Sequence, residues 1–352
     1  MKDRSRQQPH ELSFKEWLQE VESRTCKESI SAIQQQNMMQ TLMQVFHVYT
    51  QARVCSSSGE EIRTICGQFH VKRALEIAAA GRHHILLVGP PEAGKARLAR
   101  TLPSLLPRRS RPSLREPSSR CDRNTFVGEP EAPGDLILAH GGVLFMKDLD
   151  AFDLSVLTVL AQTVATHTIP IEIEDRWVEI PARFLLVATL KPCPCGGSGD
   201  PTSLCCCSAQ EIAQYRRRLT EAVHACFALE VEVSLTAHES VSHHAEESSA
   251  RIRKRVEAAR AMQQRRYGGE RHIRVNADLR SSAEVEHYCQ LDSSGQELLA
   301  AAHRQLHLTP LQGLRVQAVA RTIADLAGSP TIAARHLAEA VQYVSRFIRY
   351  KE

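Results

Sequence analysis

Two periods of hydrophobic recurrence run along the chain, and the places where one gives way to the other mark its elements. Ile85-Leu86-Leu87-Val88 is an unbroken apolar run that enters a glycine-rich turn, after which Leu98, Leu102, Leu105 and Leu106 recur at helical spacing. That is strand, loop, helix. Residues 67–81 predict a helix leading into this strand, and Val143-Leu144-Phe145-Met146 predicts a second strand. A hairpin is expected from Ile169 to Ile173, a turn at Glu174-Asp175-Arg176, and a return from Trp177 to Ile180.

Near the N-terminus, Phe14, Trp17, Leu18 and Val21 fall on one helical face, and Ile30, Ile33, Met38, Met39, Leu42, Met43 and Phe46 can form another. They predict a separate helical extension over 1–58, ending in the linker-like Ser56-Ser57-Ser58-Gly59. The C-terminal third reads as helical. Residues 248–266 form an amphipathic helix with Ile252, Val256, Ala259 and Met262 inward, and Asn276-Ala277-Asp278-Leu279 is expected to begin another. Further helices are expected over 298–306, 315–327 and 333–347.

Composition adds bounds. A chain of 352 residues with 43% hydrophobic content holds about two domains and an ample core. No apolar run approaches the roughly 20 residues that span a bilayer, and Met1 to Arg6 has no apolar stretch behind it. The expected location is cytoplasmic, with no membrane partner. A net charge of +4 does not by itself imply nucleic acid. Its distribution is more suggestive, because Arg97, Arg100, Arg108, Arg109, Arg111, Arg115, Arg120 and Arg123 crowd one region. Such a stretch could track a DNA backbone or be a solvated loop, and it lacks interleaved aromatic side chains for base stacking.

Chemistry concentrates at Gly89-Pro90-Pro91-Glu92-Ala93-Gly94-Lys95-Ala96, which has P-loop spacing. Glycines let backbone N–H groups curl around phosphates, the following helix N-terminus favours negative charge, and Lys95 would reach the β- and γ-phosphates of ATP. The position after the lysine normally supplies a hydroxyl for Mg²⁺, and here it is Ala96. ATP is the expected cofactor and Mg²⁺ a doubtful one.

Eleven cysteines with no export signal suggest metal before disulfides. Cys193-x-Cys195 and Cys205-x-Cys207 are separated by nine residues containing Gly196, Gly197 and Gly199. Positions i and i+2 of an extended segment point to one side, so the two pairs can complete a tetrahedral four-sulfur zinc site. Reduced free thiols and, less favoured, disulfides are the alternatives, and Cys206 is a spare thiol that confuses the choice.

Several segments in one order carry a resemblance over about residues 60–345: the P-loop, residues 133–145 (Pro-Gly-Asp-Leu-Ile-Leu-Ala-His-Gly-Gly-Val-Leu-Phe), 181–188, Lys191-Pro192-Cys193-Pro194-Cys195-Gly196, and 320–328. The chain resembles the magnesium-chelatase-like AAA+ proteins, in the competence-type branch that includes a DNA branch-migration helicase. The resemblance implies an α/β fold: a P-loop AAA+ core with a parallel sheet over 59–235, then a small α-helical lid over 236–352 that closes over nucleotide. The N-terminal protease-like domain of the family is expected to be replaced by 1–58, and the family carries the same four cysteines. It also implies a homo- or hetero-oligomeric ring of related subunits.

The departures from the family are chemical. After the second strand the family places Asp then Glu, for metal and for attacking water, and here stand Lys147 and Asp148. If the register slips by one, Asp148 serves the metal and Leu149 takes the place of the base. Lys191 replaces a polar Asn, Cys226 falls at a candidate arginine finger and Leu311 at the sensor arginine, with Arg315 and Arg321 as substitutes. Ser118 and Ser119 stand where the family carries a His pair. Lys147 and Lys191 either supply charge in place of Mg²⁺ or are products of drift. The expected function is ATP binding with weak or lost hydrolysis in a regulatory or scaffold subunit. The alternatives are an active DNA motor completed by partner subunits, and a zinc-stabilised interaction protein without nucleotide.

Overall fold

The computed structural model describes residues 21, 39–43, 46–47, 60–107, 113–129, 132–173, 176–198, 204–218, 221–235, 246–270 and 272–344. The order is helix α1 (Phe69–Gly81), strand β1 (Ile85–Val88), α2 (Lys95–Leu105), β2 (Leu114–Arg115), α3 (Arg123–Val127), α4 (Asp135–Leu138) and β3 (Val143–Met146). There follow α5 (Leu154–Thr166), β4 (Thr168–Ile173), β5 (Arg176–Pro181), β6 (Leu185–Leu190), α6 (Ala209–Arg218), α7 (Glu221–His224) and β7 (Leu229–Glu232). The C-terminal region is α8 (Ser249–Tyr267), α9 (Ser282–Tyr288), α10 (Ser293–Leu306), α11 (Pro310–Leu326) and α12 (Ala334–Val344).

Five strands form a parallel sheet in the order β2-β3-β6-β1-β7. The fold is α/β with a helical C-terminal region. Alternation along the strands sorts side chains into two layers. Ile85, Leu87, Val143, Phe145, Leu185 and Val187 face a core shared with Leu75, Leu98, Leu102, Val256 and Val319. Leu86, Leu144, Met146, Leu186 and Ala188 face the other layer, with Leu157, Leu160 and the inward side of the hairpin. Neighbouring side chains on a strand point to opposite faces, so a four-residue apolar run is buried on both sides.

The β4–β5 hairpin forms as expected, with Thr168 opposite Pro181 and Ile173 opposite Arg176. Its tip, Glu174-Asp175, lies outside the described residues. Helices α8 and α11 bury Ile252, Val256, Val316 and Val319 in the same core as α1 and α2, so the helical region is the wall behind one face of the sheet. Asn276–Asp278 is a single 3-10 turn and the helix starts only at Ser282, where Ser281 accepts from the Glu284 N–H and Glu284 caps in return. That capping box places the helix start after the expected Asn276. Most of 1–58 lies outside the described residues; within it Val21 and Leu42 are buried in the layer containing Leu86 and Leu144.

Candidate functional site

The carboxyl ends of β1, β6 and β3 are neighbours, and the loops leaving them bring Lys95, Asp148, Asp150 and Lys191 together. Lys95 opens α2 directly after Gly94, whose φ of 79° is a left-handed value that favours glycine. An ideal Cβ on Gly94 would meet no atom within 4 Å, so the mouth of the loop is open. Gly89 is required for a different reason: a Cβ there would lie 2.1 Å from the Val233 carbonyl oxygen. The Lys95 ammonium is almost fully buried and donates to the Gly89 and Pro90 carbonyls, both at 2.5 Å. Burial pulls its pKa below the usual lysine value; Asp148 opposes the shift, Lys191 adds to it and Asp150 opposes it.

Asp148 adopts a left-handed φ of 53°, and its N–H donates to Thr189 Oγ1 at 2.8 Å. That turn buries Leu149 fully, so Leu149 belongs to the core and the slipped register puts no side chain of 149 into the site. It also carries Asp150 back toward Lys191, whose Nζ lies 3.9 Å from Asp150 Oδ2. Asp150 Oδ1 is buried with no hydrogen-bond partner among the described residues. Tyr215 stands beside it: burial, then the Asp150 charge, pushes its phenol well above the ordinary range, and its hydroxyl donates to the Lys191 carbonyl at 3.3 Å. Lys147 is exposed at the end of β3, whereas Lys191 is among the charges that act on Lys95. The sequence reading missed Asp150 and Tyr215; the Asp-x-Asp spacing of Asp148 and Asp150 was the available signal.

The cysteine loop abuts this site. Gly196, at φ 81°, leaves so little room that a Cβ would lie 2.9 Å from Pro91 Cδ of the P-loop. Sulfurs of Cys193, Cys195, Cys205 and Cys207 all lie within 4.8 Å of one another, with 3.4 Å from Cys193 to Cys195, 3.6 Å from Cys193 to Cys205 and 3.7 Å from Cys195 to Cys205. A tetrahedral zinc with Zn–S bonds of about 2.3 Å needs sulfurs about 3.8 Å apart, so the four fit the ion. Backbone N–H groups of Gly197 and Ser198 donate to Cys195 and Cys193 sulfur, each at 3.4 Å. The Gly197 bond leads the causes that lower the Cys195 pKa to about 6. Cys206 is exposed and outside the set.

The structure describes only part of the expected arginine stretch. Arg100 binds Glu116 at 2.8 and 3.1 Å, Arg97 faces Glu60 at 3.8 Å, and Arg108, Arg109 and Arg111 lie outside the described residues. Arg321, named as a substitute sensor, is buried and donates to Asp325 and to the carbonyls of Ser329 and Pro330. Cys226, Leu311 and Arg315 line a common cavity at the opposite ends of the strands.

The profile of the family described as magnesium chelatase, subunit ChlI, matches residues 61–119 and 109–241, and that of the ChlI C-terminal region matches 246–344. The chain belongs to this family. Competence protein ComM of Haemophilus influenzae is 35% identical over 315 residues, which are 80% of this chain and 60% of that protein. The proteins named YifB of Salmonella typhimurium and Escherichia coli are 32% and 33% identical, over 312 and 313 residues and the same shares. This magnesium-chelatase-like chain thus spans about 60% of the length of the curated relatives it matches. Both matched regions fall on the described α/β core and helical region, and the P-loop and the cysteine loop lie inside the first.

Proposed function

We propose that the chain is an ATP-binding AAA+ module with slow hydrolysis, acting as a regulatory or scaffold subunit among related subunits. One observation carries the reading: a buried P-loop lysine, Lys95, sits at an open glycine-flanked loop with Lys191 beside it and two carboxylates, Asp148 and Asp150, acting on it. Lys95 would hold the β- and γ-phosphates, and Lys191 would add a second cation to a shielded site, where charges interact strongly. Asp148 and Asp150 are the residues that would hold Mg²⁺, and the partnerless Oδ1 of Asp150 fits a cation. Bound there, the metal would neutralise charge on the phosphates.

Slow turnover follows from what the chain offers the attacking water. Lys147 and Asp148 replace the Asp-Glu pair that the family resemblance implies, and Cys226 offers no cation to a neighbouring site. Loss of an arginine finger alone costs roughly 10³ to 10⁵ in rate in phosphoryl transfer. Zinc on the four cysteines would be structural, fixing the loop that bears on Pro91 through Gly196. Family members commonly oligomerise, and no helix among the described residues is long and apolar enough to cross a membrane.

The test is a titration with a fluorescent ATP analogue in Mg²⁺ and in chelator, followed by phosphate release. Binding with release near background is expected. Absence of binding in both conditions overturns the nucleotide reading, and rapid release overturns the slow-turnover part.

A further inference from the structure

On the side of the sheet away from the P-loop, the segments that enter β1, β3, β6 and β7 surround a cavity of about 910 Å³ closed by the helical region. Its volume is in the range of small-molecule sites, roughly 300–1,000 Å³. Strands of four residues at about 3.3 Å per residue separate it from the P-loop by about 13 Å, so the two are different sites. Its charge is one-sided. Arg82, Arg183, Arg260, Arg274, Arg280 and Arg315 line it, and among the described residues the only carboxylate in the lining is Asp278.

The arginines are positioned by neutral groups. Arg260 donates to the Ala79 carbonyl at 2.7 Å, Arg315 to the carbonyls of Phe227 and Ala225, and Arg280 to those of Val164 and Ala165. Carbonyl acceptors fix a guanidinium without cancelling its charge. Asp278 stands 3.7 Å from Arg183 and shares its carboxylate with the backbone N–H groups of Arg274 and Val275. Arg260 Nε is buried and has no hydrogen-bond partner among the described residues. His83 and His84 add no further positive charge: burial, aided by neighbouring arginines, holds both neutral with pKa values near 3. Arg260, Arg280 and Arg315, held by carbonyls around one volume, concentrate positive potential there and attract an anion. Val164, Phe184, Leu311 and Leu314 give the wall an apolar part, beside the polar Thr158 and Gln162.

We propose that this cavity is a second ligand site that takes an organic polyphosphate, with the phosphates among the arginines and the carbon portion against Phe184, Leu311 and Leu314. Guanidinium forks match phosphate oxygens bidentately, and planar or apolar groups suit the remaining wall. The site goes beyond the P-loop reading. Cys226 and Leu311, the finger and sensor positions, line the cavity without adding charge; of its six arginines one, Arg315, is a substitute offered for them, and the other five are not.

The experiment is equilibrium dialysis of the full chain with radiolabelled ATP in Mg²⁺, at a concentration where sedimentation shows a single species. The proteins compared are the parent, Lys95→Ala, and Lys95→Ala combined with Arg260→Gln or with Arg280→Glu. The parent should bind two equivalents and Lys95→Ala one, and either arginine substitution should weaken that remaining equivalent at least tenfold. Arg280 is exposed at the cavity rim, so Arg280→Glu decides the matter if Arg260→Gln fails to fold. One equivalent that vanishes with Lys95→Ala overturns this proposal and leaves the P-loop reading standing. One equivalent that survives Lys95→Ala and is lost with Arg280→Glu upholds it and removes the P-loop reading. A remaining equivalent indifferent to both arginine substitutions, or one present only in self-associated protein and lost with Lys95→Ala, overturns it.

Discussion

Lys191 Nζ stands 3.9 Å from Asp150 Oδ2, so the residue that follows β6 is paired with a carboxylate from the turn after β3. The pair leaves Asp150 Oδ1 buried and without a hydrogen-bond partner among the described residues, and the proposed Mg²⁺ would bind there. Asp150→Asn should therefore weaken nucleotide binding in Mg²⁺ by about tenfold or more, the loss typical of a disturbed metal shell, with little change in chelator. Fluorescent-nucleotide titration in both buffers measures the difference. Equal losses in the two would show that Asp150 acts on Lys191 alone.

Lys95→Ala should lower nucleotide affinity roughly ten- to a hundredfold, the worth of a charge-assisted hydrogen bond of about 1.5–3 kcal/mol. The same titration reads it. Because Lys95 also satisfies the carbonyls of Gly89 and Pro90, the thermal midpoint should be recorded alongside, so that a loss of fold is not taken for a loss of phosphate contact.

Metal analysis separates the three cysteines at 205–207. Cys205→Ser and Cys207→Ser should each lose bound zinc, while Cys206→Ser should retain it, because only the first two have sulfurs inside the four-thiol set. Zinc retained in all three variants would argue for a different ligand set.

Asp325 joins Arg266, Arg321 and Asn276 in a buried network, with Arg266 Nη2 at 2.5 Å and Asn276 Nδ2 at 2.9 Å. Removing the carboxylate strands Arg321, which is itself buried. Asp325→Ala should cost about 3–5 kcal/mol, read as a shift in the urea midpoint.

The two histidines before β1 predict acid sensitivity. His83 and His84 are neutral in the fold down to about pH 3, and both are free to take protons near pH 6.5 when unfolded. The unfolded chain binds more protons between those values, so stability is complete above about pH 6.5 and falls as the pH drops toward 3. At pH 5 each depressed histidine should cost roughly 2 kcal/mol. Urea unfolding at pH 7.5 and pH 5 measures it, and His83→Gln should reduce the difference.

Much of the α/β order was legible because it depends on neighbours in sequence. The runs 85–88 and 143–146 became strands with those bounds, and Ile169 and Ile180 met across a hairpin. The paired C-x-C spacing likewise anticipated four sulfurs that lie together. The helix expected at Asn276 starts instead at Ser282, where the Ser281-x-x-Glu284 capping box, a spacing present in the sequence, sets its first turn.

The sequence by itself determined periodicity, the P-loop spacing and the residue types at each motif, since all are properties of short segments. Tertiary structure decided which charges meet. The left-handed turn at Asp148 buries Leu149 and returns Asp150 to Lys191, a reversal that spacing alone does not specify. It also decided why Gly89 admits no side chain, since the obstacle is the carbonyl of Val233, 144 residues away in sequence. The arginine cavity belongs to the same class: its cations come from segments far apart in the chain, and their common charge exists only where the fold places them around one volume.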